Sequence, residues 1–464
     1  QKEEGMHPSP TYRALAEKVV GTEKYPEIVV PESLYPLLAH MYTDEEAEIV
    51  LALQGGMKTP KAIAKKVHRP VGEVRPILES LAERILILGV GPKGYAIYGP
   101  LALYPFIYDA QMLRCDKEMR EGSADEAWFK EYVIRSKEFM DEFYEWLAPR
   151  EVASKYQIMG MPFGRVISVA QAIDATPGLG IVALDSDIYS ETVERSKKSL
   201  ALVSTCTCRL GKHLLGEGCG RLRNTCSTMG LPAEGAIKSG MGRRVSKEVF
   251  LDAKLQATEA GLVHMPENVL DPMLVCSCCD CCCEILGLLK KFESPATFTK
   301  SHFEAVIIPE NCTGCKKCVD MCPMDAITMV KRPGTDGKKT PAKKKPVTKN
   351  TATKKTATKK VTAKKKAATR KTAAKMAVID YKRCIGCGVC VTKCDKFKAI
   401  VLRERKIFRP PADNMAEAFA RRYFELKGQQ DDLVPKLTLG VTRFLSSVNP
   451  IHVTGPRAMS FKQD

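Results

Sequence analysis

The clearest alternation of apolar and polar positions lies over residues 43–100. In TDEEAEIVLAL, Ala47, Ile49, Val50 and Leu53 recur at helical spacing behind Thr43, and Glu46 completes a capping box. TPKAIAKKV reads as a short helix with Pro60 in its first turn, and VGEVRPILESLAERI as a third helix. Pro76 interrupts that third pattern and is tolerable only in a first turn. ILILGVGPKGYAIYG then gives two short strand-like runs around Gly91-Pro92-Lys93-Gly94. Three helices and a hairpin predict a winged-helix-like module over 43–105, behind an N-terminal arm (1–42) whose weak helical signals are broken by prolines. One or two long amphipathic helices are expected over 111–150, within a helical connector (106–150), with the lone Cys115 a packed or surface cysteine without a role.

From 151 to 300 the pattern takes on α/β character. GRVISVAQAI and GIVALD suggest strands, a helix capped by Ser190 is expected through Lys198, and LALVS leads into Cys206. Ser246 as N-cap and Gly261 as stop bracket another helix. Farther on, AVIIPENC and AVIDYKRC are matching strand-like runs, and AITMV and AIVLR are matching return strands. The fold class expected is α+β: a winged-helix-like module, an α/β cysteine-rich middle domain, a C-terminal two-part domain (301–331 and 376–405), and a tail (406–464).

Length and composition refine this division. The 464 residues suffice for roughly three domains, and 44% hydrophobic content is ordinary for a globular chain. No run of about 18 apolar residues predicts a membrane span, and without a secretory leader a cytoplasmic location is expected. The net charge of +18 suggests a nucleic-acid binder, but residues 331–375 hold 18 lysines and arginines against one acid, Asp336, leaving the rest of the chain nearly neutral. The Lys/Thr/Ala-rich segment 332–375 has no apolar face to bury and is expected to be disordered. It resembles the basic tails of linker histones and could grip an acidic partner, DNA or an anionic membrane surface, or serve as a solvated spacer.

All but one of the 19 cysteines fall into four groups, the signature of metal binding more than of disulfides. CTGCKKCVDMCP at 312–323 is the C-x2-C-x2-C-x3-C-P run of bacterial ferredoxins, and CIGCGVCVTKCD at 384–395 repeats its cysteine spacing. Because the fourth cysteine of such runs serves the other cluster, Cys312, Cys315, Cys318 and Cys394 are expected on one 4Fe–4S centre, and Cys384, Cys387, Cys390 and Cys322 on a second. Gly314, Gly386 and Gly388 would let backbone amides approach the sulfurs. A structural zinc site is the competing reading. Asp395 stands where proline is usual, so unequal potentials are expected of the two clusters.

The middle region adds Cys206, Cys208, Cys219 and Cys226, then VCSCCDCCC with Cys276, Cys278, Cys279, Cys281, Cys282 and Cys283. Ten thiols suffice for one or two further iron–sulfur clusters. The tight run cannot seat all six sulfurs on one cube, but it could feed two neighbouring centres or one larger or irregular cluster; zinc or free thiols are the alternatives. Arg209 could donate N–H bonds to cluster sulfur.

On these motifs the chain resembles the multi-cluster 4Fe–4S ferredoxin-type proteins of anaerobic bacteria. The resemblance runs over about 40–410 and includes GRRVSKE at 242–248, GLVH at 261–264 and Asn268. It implies electron transfer within a larger redox assembly, with a redox partner protein or oxidoreductase subunits. The long insert and Asp395 depart from the pattern. No catalytic constellation stands out: His213, His264 and His302 are isolated, and GLGIV at 178–182 lacks a full dinucleotide fingerprint. Two other readings are a redox-sensing DNA-binding regulator, using the winged helix and the insert, and a thiol or disulfide reductase centred on the middle cysteines, Cys281 among them. Acidic side chains on the third helix of the module (Glu73, Glu79, Glu83) suit DNA phosphates poorly.

Overall fold

The computed structural model describes residues 8–20, 29–92, 94–147, 164–179, 193–194, 198–292, 298–332, 375–394, 396–406, 408, 410–413 and 417. The N-terminal third is mainly helical: α1 (Pro10–Val20), α2 (Leu34–Met41), α3 (Asp44–Leu53), α4 (Pro60–Lys66) and α5 (Val71–Glu83) precede a hairpin of β1 (Leu88–Val90) and β2 (Ile97–Gly99). The capping box at Thr43 forms as its side chains dictate, with Glu46 N–H donating to Thr43 Oγ1 at 3.2 Å and Thr43 N–H to Glu46 Oε2 at 3.0 Å. Pro76 lies beyond the first turn of α5, contrary to the condition set on it. The carbonyl left without its helical donor is that of Gly72, which is exposed, so water can take the place of the missing N–H.

Two long helices follow, α6 (Tyr108–Glu121) and α7 (Glu126–Leu147), and Phe129, Tyr132 and Met112 bury against Leu37, Leu53 and Leu78 in one continuous core. Cys115 is fully buried there.

In the middle region the strand expected from GRVISVAQAI is cut short. Only Gly164–Arg165 forms a strand, β3, and Ala170–Asp174 winds into a helix, α8. Val166, Ile167, Val169 and Ala172 are all buried, so the apolar run is a buried connector without strand alternation. GIVALD and the Ser190 cap lie outside the described residues. A five-stranded sheet is built from β4 (Leu200–Val203), β5 (Ser227–Met229), β6 (Gly242–Arg244), β7 (Val263–Pro266) and β8 (Leu274–Cys278), in the order β6-β4-β5-β8-β7. Every pairing in it is antiparallel, so it lacks the parallel sheet of α/β folds. The connecting helices are α9 (Thr207–Leu214), α10 (Leu231–Lys238) and α11 (Lys247–Glu259), and α12 (Glu284–Phe292) follows β8. Ser246 caps α11 through Val249 N–H, and Gly261 (φ +77°) ends it. α9 packs closely on α6: a Cβ on Gly211 would stand 2.5 Å from the Tyr108 hydroxyl, so glycine permits the approach that brings Cys206 and Cys208 inward.

β9 (Phe298–Thr299) pairs with β3, and the C-terminal domain begins at β10 (Phe303–Ile307). It continues through α13 (Lys317–Asp320), β11 (Ile327–Lys331), β12 (Lys375–Ile379), α14 (Val389–Thr392) and β13 (Ile400–Glu404). The first strand of one repeat pairs with the last of the other, Phe303 opposite Glu404, and the two inner strands pair with each other, Ile327 opposite Ile379. The basic insert departs from Lys331 and returns at Lys375, which are register partners on β11 and β12. Its body lies outside the described residues, as do most of residues 406–464.

Because the insert enters and leaves at one paired position, replacing 333–374 by a short glycine-containing turn should leave the unfolding midpoint and the bound iron per chain unchanged. A fall in either would show that the insert contributes to the fold.

Candidate metal centres

The strand pairing of the C-terminal domain decides which cysteines meet. One cavity is lined by Cys312, Cys315, Cys318 and Cys394, with Ile307, Met329, Ala377 and Ile400 as apolar walls. A second is lined by Cys322, Cys384 and Cys387. The remaining member of the second set, Cys390, is buried beside those three, whose charge would push its thiol up after burial itself. Each wall thus takes three thiols from one repeat and one from the other.

Several features of these cavities suit a sulfur-bridged iron cube. All the candidate donors are thiols, the ligands such clusters select. Ala377 N–H points at Cys312 Sγ (3.5 Å) and Ala326 N–H at Cys322 Sγ (3.3 Å). The hydroxyl of Thr313 is buried at the first cavity with no partner among the described residues, a donor left for an acceptor such as cluster sulfide. Gly386 (φ +77°) lies so close to the Phe303 carbonyl that a Cβ would collide with it. Burial pushes the thiols of Cys318 and Cys387 up, to about 11 and about 12, so each needs a bound cation to become a thiolate at neutral pH.

The two sets differ in exposure. Cys384, Cys387 and Cys390 are each 8% exposed or less, whereas Cys315 is open to solvent. The inner set faces the middle domain: Val169 N–H donates to the Cys387 carbonyl (3.0 Å), and Ser168 Oγ donates to that of Gly386 (2.7 Å). Lys290 bridges Asp280 (2.8 Å), in the VCSCCDCCC run, and Asp325 (2.9 Å), three residues past Cys322. Asp395 lies outside the described residues.

The ten middle cysteines divide into two groups. In the first, the protonation of each thiol is shifted by two neighbouring thiols: Cys206 by Cys208 and Cys226, Cys283 by Cys208 and Cys278, and Cys276 by Cys226 and Cys278. The six close into a ring. Cys276 and Cys278 enter it from the same face of β8 because they are two residues apart. Cys206 and Cys208 come from the start of α9, and Cys283 from the residue before α12, where Leu286 N–H meets its sulfur (3.5 Å). The second group is Cys219, Cys279, Cys281 and Cys282, whose sulfurs all lie within 4.8 Å of one another.

Arg209 stands between the groups. It is 2% exposed and donates to Ser277 O (2.9 Å), Thr225 Oγ1 (3.1 Å) and Cys279 Sγ (3.8 Å). Burial opposes its charge, but the thiols of Cys206, Cys226 and Cys279 outweigh that and hold it protonated. Two further charged groups beside the ring had no signal in the sequence. Lys254 is buried on α11 and donates to Thr225 O (2.7 Å), Val275 O (3.0 Å) and Ser277 Oγ (3.1 Å); burial lowers it to about 8, against the pull of Cys226, Cys276 and Cys278. Asp109 on α6 accepts from Thr207 Oγ1 (2.7 Å), and burial first, then Cys226 and Cys283, raises it to about 7. Neither residue sits near a ring cysteine in sequence, so only the packing of α6 and α11 reveals them.

His264 exchanges a hydrogen bond with Thr258 (2.9 Å), His302 pairs with Glu404 (3.0 Å) and stacks on Phe303 and Phe408, and His213 is exposed on α9.

Residues 311–399 match the family of 4Fe-4S dicluster domains. The chain therefore carries an iron–sulfur domain of that class at its C-terminal end, spanning both cysteine runs and the insert. No curated protein and no solved structure matches the chain.

Gly386→Ala should remove the iron bound beside Cys384 and Cys387, about four atoms per chain, and leave the Cys312-side centre intact. Iron analysis with electron paramagnetic resonance checks this, and full retention of iron would show that the backbone there can yield.

Proposed function

We propose that the protein is an iron–sulfur electron-transfer protein that passes single electrons between a redox partner and a further metal–sulfur site in its middle domain. The observation carrying this reading is the adjacency of three thiol sets: an outer one open at Cys315, an inner one in which Cys384, Cys387 and Cys390 are buried, and the six-thiol ring, whose Cys278 and Cys283 share a core with the dicluster cysteines. When bound, each 4Fe–4S cluster supplies reversible uptake of one electron. The chain's own contribution is placement. Cys312, Cys315, Cys318 and Cys394 would hold the outer centre at the surface, and Cys322, Cys384, Cys387 and Cys390 the inner one, shielded from water. Cys206, Cys208, Cys226, Cys276, Cys278 and Cys283 would hold a further iron–sulfur cluster with more protein ligands than the four corners of a cube accept.

The partner is expected to be acidic. Lys316, Lys317, Lys396 and Lys398 are exposed around the outer set, and Lys393 lines its cavity. Arg332, at the root of the basic insert, donates to the Cys312 carbonyl (2.9 Å), so the most basic segment of the chain starts beside the outer centre. An acidic redox protein would be steered to this face, faster at low salt.

No observation favours the DNA-binding reading. Arg69 is paired with Glu45 and Glu73, Arg84 with Glu46, and Arg75 donates to the Gly94 carbonyl, so these arginines of the helical module are committed internally. A thiol-catalytic role for Cys281 is equally unfavoured, since three other thiols surround it.

Anaerobically purified protein should contain at least about eight iron and eight labile sulfide in the dicluster domain alone. It should also take up at least two electrons reversibly in a redox titration. Less iron than two cubes require, or irreversible reduction, would defeat the proposal.

A further inference from the structure

The four thiols outside the ring have a spacing of their own. Cys219 Sγ and Cys279 Sγ are 4.0 Å apart, Cys281 Sγ and Cys282 Sγ are 3.9 Å apart, and every other pair is within 4.8 Å. Four metal–sulfur bonds of about 2.3 Å at tetrahedral angles place sulfurs about 3.8 Å apart. A cube spreads its thiolates much farther, because the iron–iron edges add to the outward bonds. The same molecule provides the contrast: neither dicluster set gathers three of its sulfurs within 4.8 Å, and among the described residues only this group does.

We propose that Cys219, Cys279, Cys281 and Cys282 hold a single tetrahedral metal ion, zinc or iron without bridging sulfide, and not a 4Fe–4S cube. This goes beyond the electron-transfer reading and stands without it. An all-thiolate tetrahedral set suits zinc and lone iron alike. With all four positions taken by protein, the site has no place for substrate and is not a catalytic centre. Four thiolates around a divalent ion leave two negative charges, and two guanidinium groups reach the sulfurs: Arg209 at Cys279 (3.8 Å) and Arg221 at Cys281 (4.0 Å). Arg221 also lies 3.7 Å from Asp280.

What the ion would fix follows from the chain path. Cys279 comes directly after β8 and Cys282 directly before Cys283, so the site ties down the turn separating the ring cysteines Cys278 and Cys283. Cys219 anchors that turn to the loop after α9, which carries Cys206 and Cys208. Through Asp280 and Lys290 the same turn reaches the Cys322 loop of the dicluster domain. The ion would thus hold in register three segments that the ring and the inner centre both need.

The test uses the full chain and the variant Cys281→Ser, whose thiol is exposed and lies outside the ring. Metal and labile-sulfide analysis should show the loss of one zinc or one iron with labile sulfide unchanged. Loss of about four iron together with about four sulfide, or no loss of metal, would overturn the proposal. Should the variant fail to fold, X-ray absorption on the wild-type protein decides. Zinc bound by four sulfurs at about 2.3 Å, or a Mössbauer signal of isolated tetrathiolate iron, supports the proposal; the absence of both overturns it. The dicluster signals serve as an internal control, because their absence would count against the electron-transfer reading alone.

Discussion

The antiparallel pairing of β10 with β13 and of β11 with β12 is the constraint on which the C-terminal domain depends. It joins two repeats far apart in the chain so that each contributes the outer strand of one pair and the inner strand of the other. The fourth cysteine of each run, next to a return strand, is thereby delivered to the opposite cavity. The close passage of Gly386 under the Phe303 carbonyl is the tightest consequence of that pairing. The insert is compatible with it because both ends leave from one rung of the ladder, and closing a long loop costs little more than closing a short one.

A second constraint acts in the middle domain. Strand alternation puts Cys276 and Cys278 on one face of β8 and Ser277 on the other, where Lys254 and Arg209 meet its polar atoms. The strand then ends, and the turn that follows sends Cys279, Cys281 and Cys282 away from the ring toward Cys219. A run of near-consecutive cysteines is thus split between two sites by a change from extended to turn backbone. The buried cations compensate charge on both sides of the split, and a buried ionised thiol requires that.

The dicluster domain was legible in the sequence because its cysteine spacing is a local record of how a loop wraps a cluster. The helices at 44–53 and 247–259 were legible for a similar reason: Thr43 and Ser246 carry their caps within three residues, and Pro60 marks the first turn of the helix at 60–66. What local pattern could not supply was the division of the middle cysteines into six and four, which depends on where β8 ends and on α9 packing closely at Gly211. Asp109 and Lys254 were invisible for the same reason, since both reach the ring through tertiary contact. The strand expected from GRVISVAQAI failed because complete burial, and not alternation, made that stretch apolar. Pro76 is the converse case, a local rule broken where an exposed carbonyl made the breach tolerable.

The account rests on shared coordination between the repeats, and paired alanine substitutions measure it most directly. Iron per chain should fall by about four atoms for Cys322→Ala and by no more for Cys322→Ala with Cys387→Ala, since both remove the same centre. Cys322→Ala with Cys315→Ala should remove about eight. If Cys322→Ala instead proved redundant with Cys315→Ala and additive with Cys387→Ala, each run would hold its own cluster, and the crossed arrangement would be wrong.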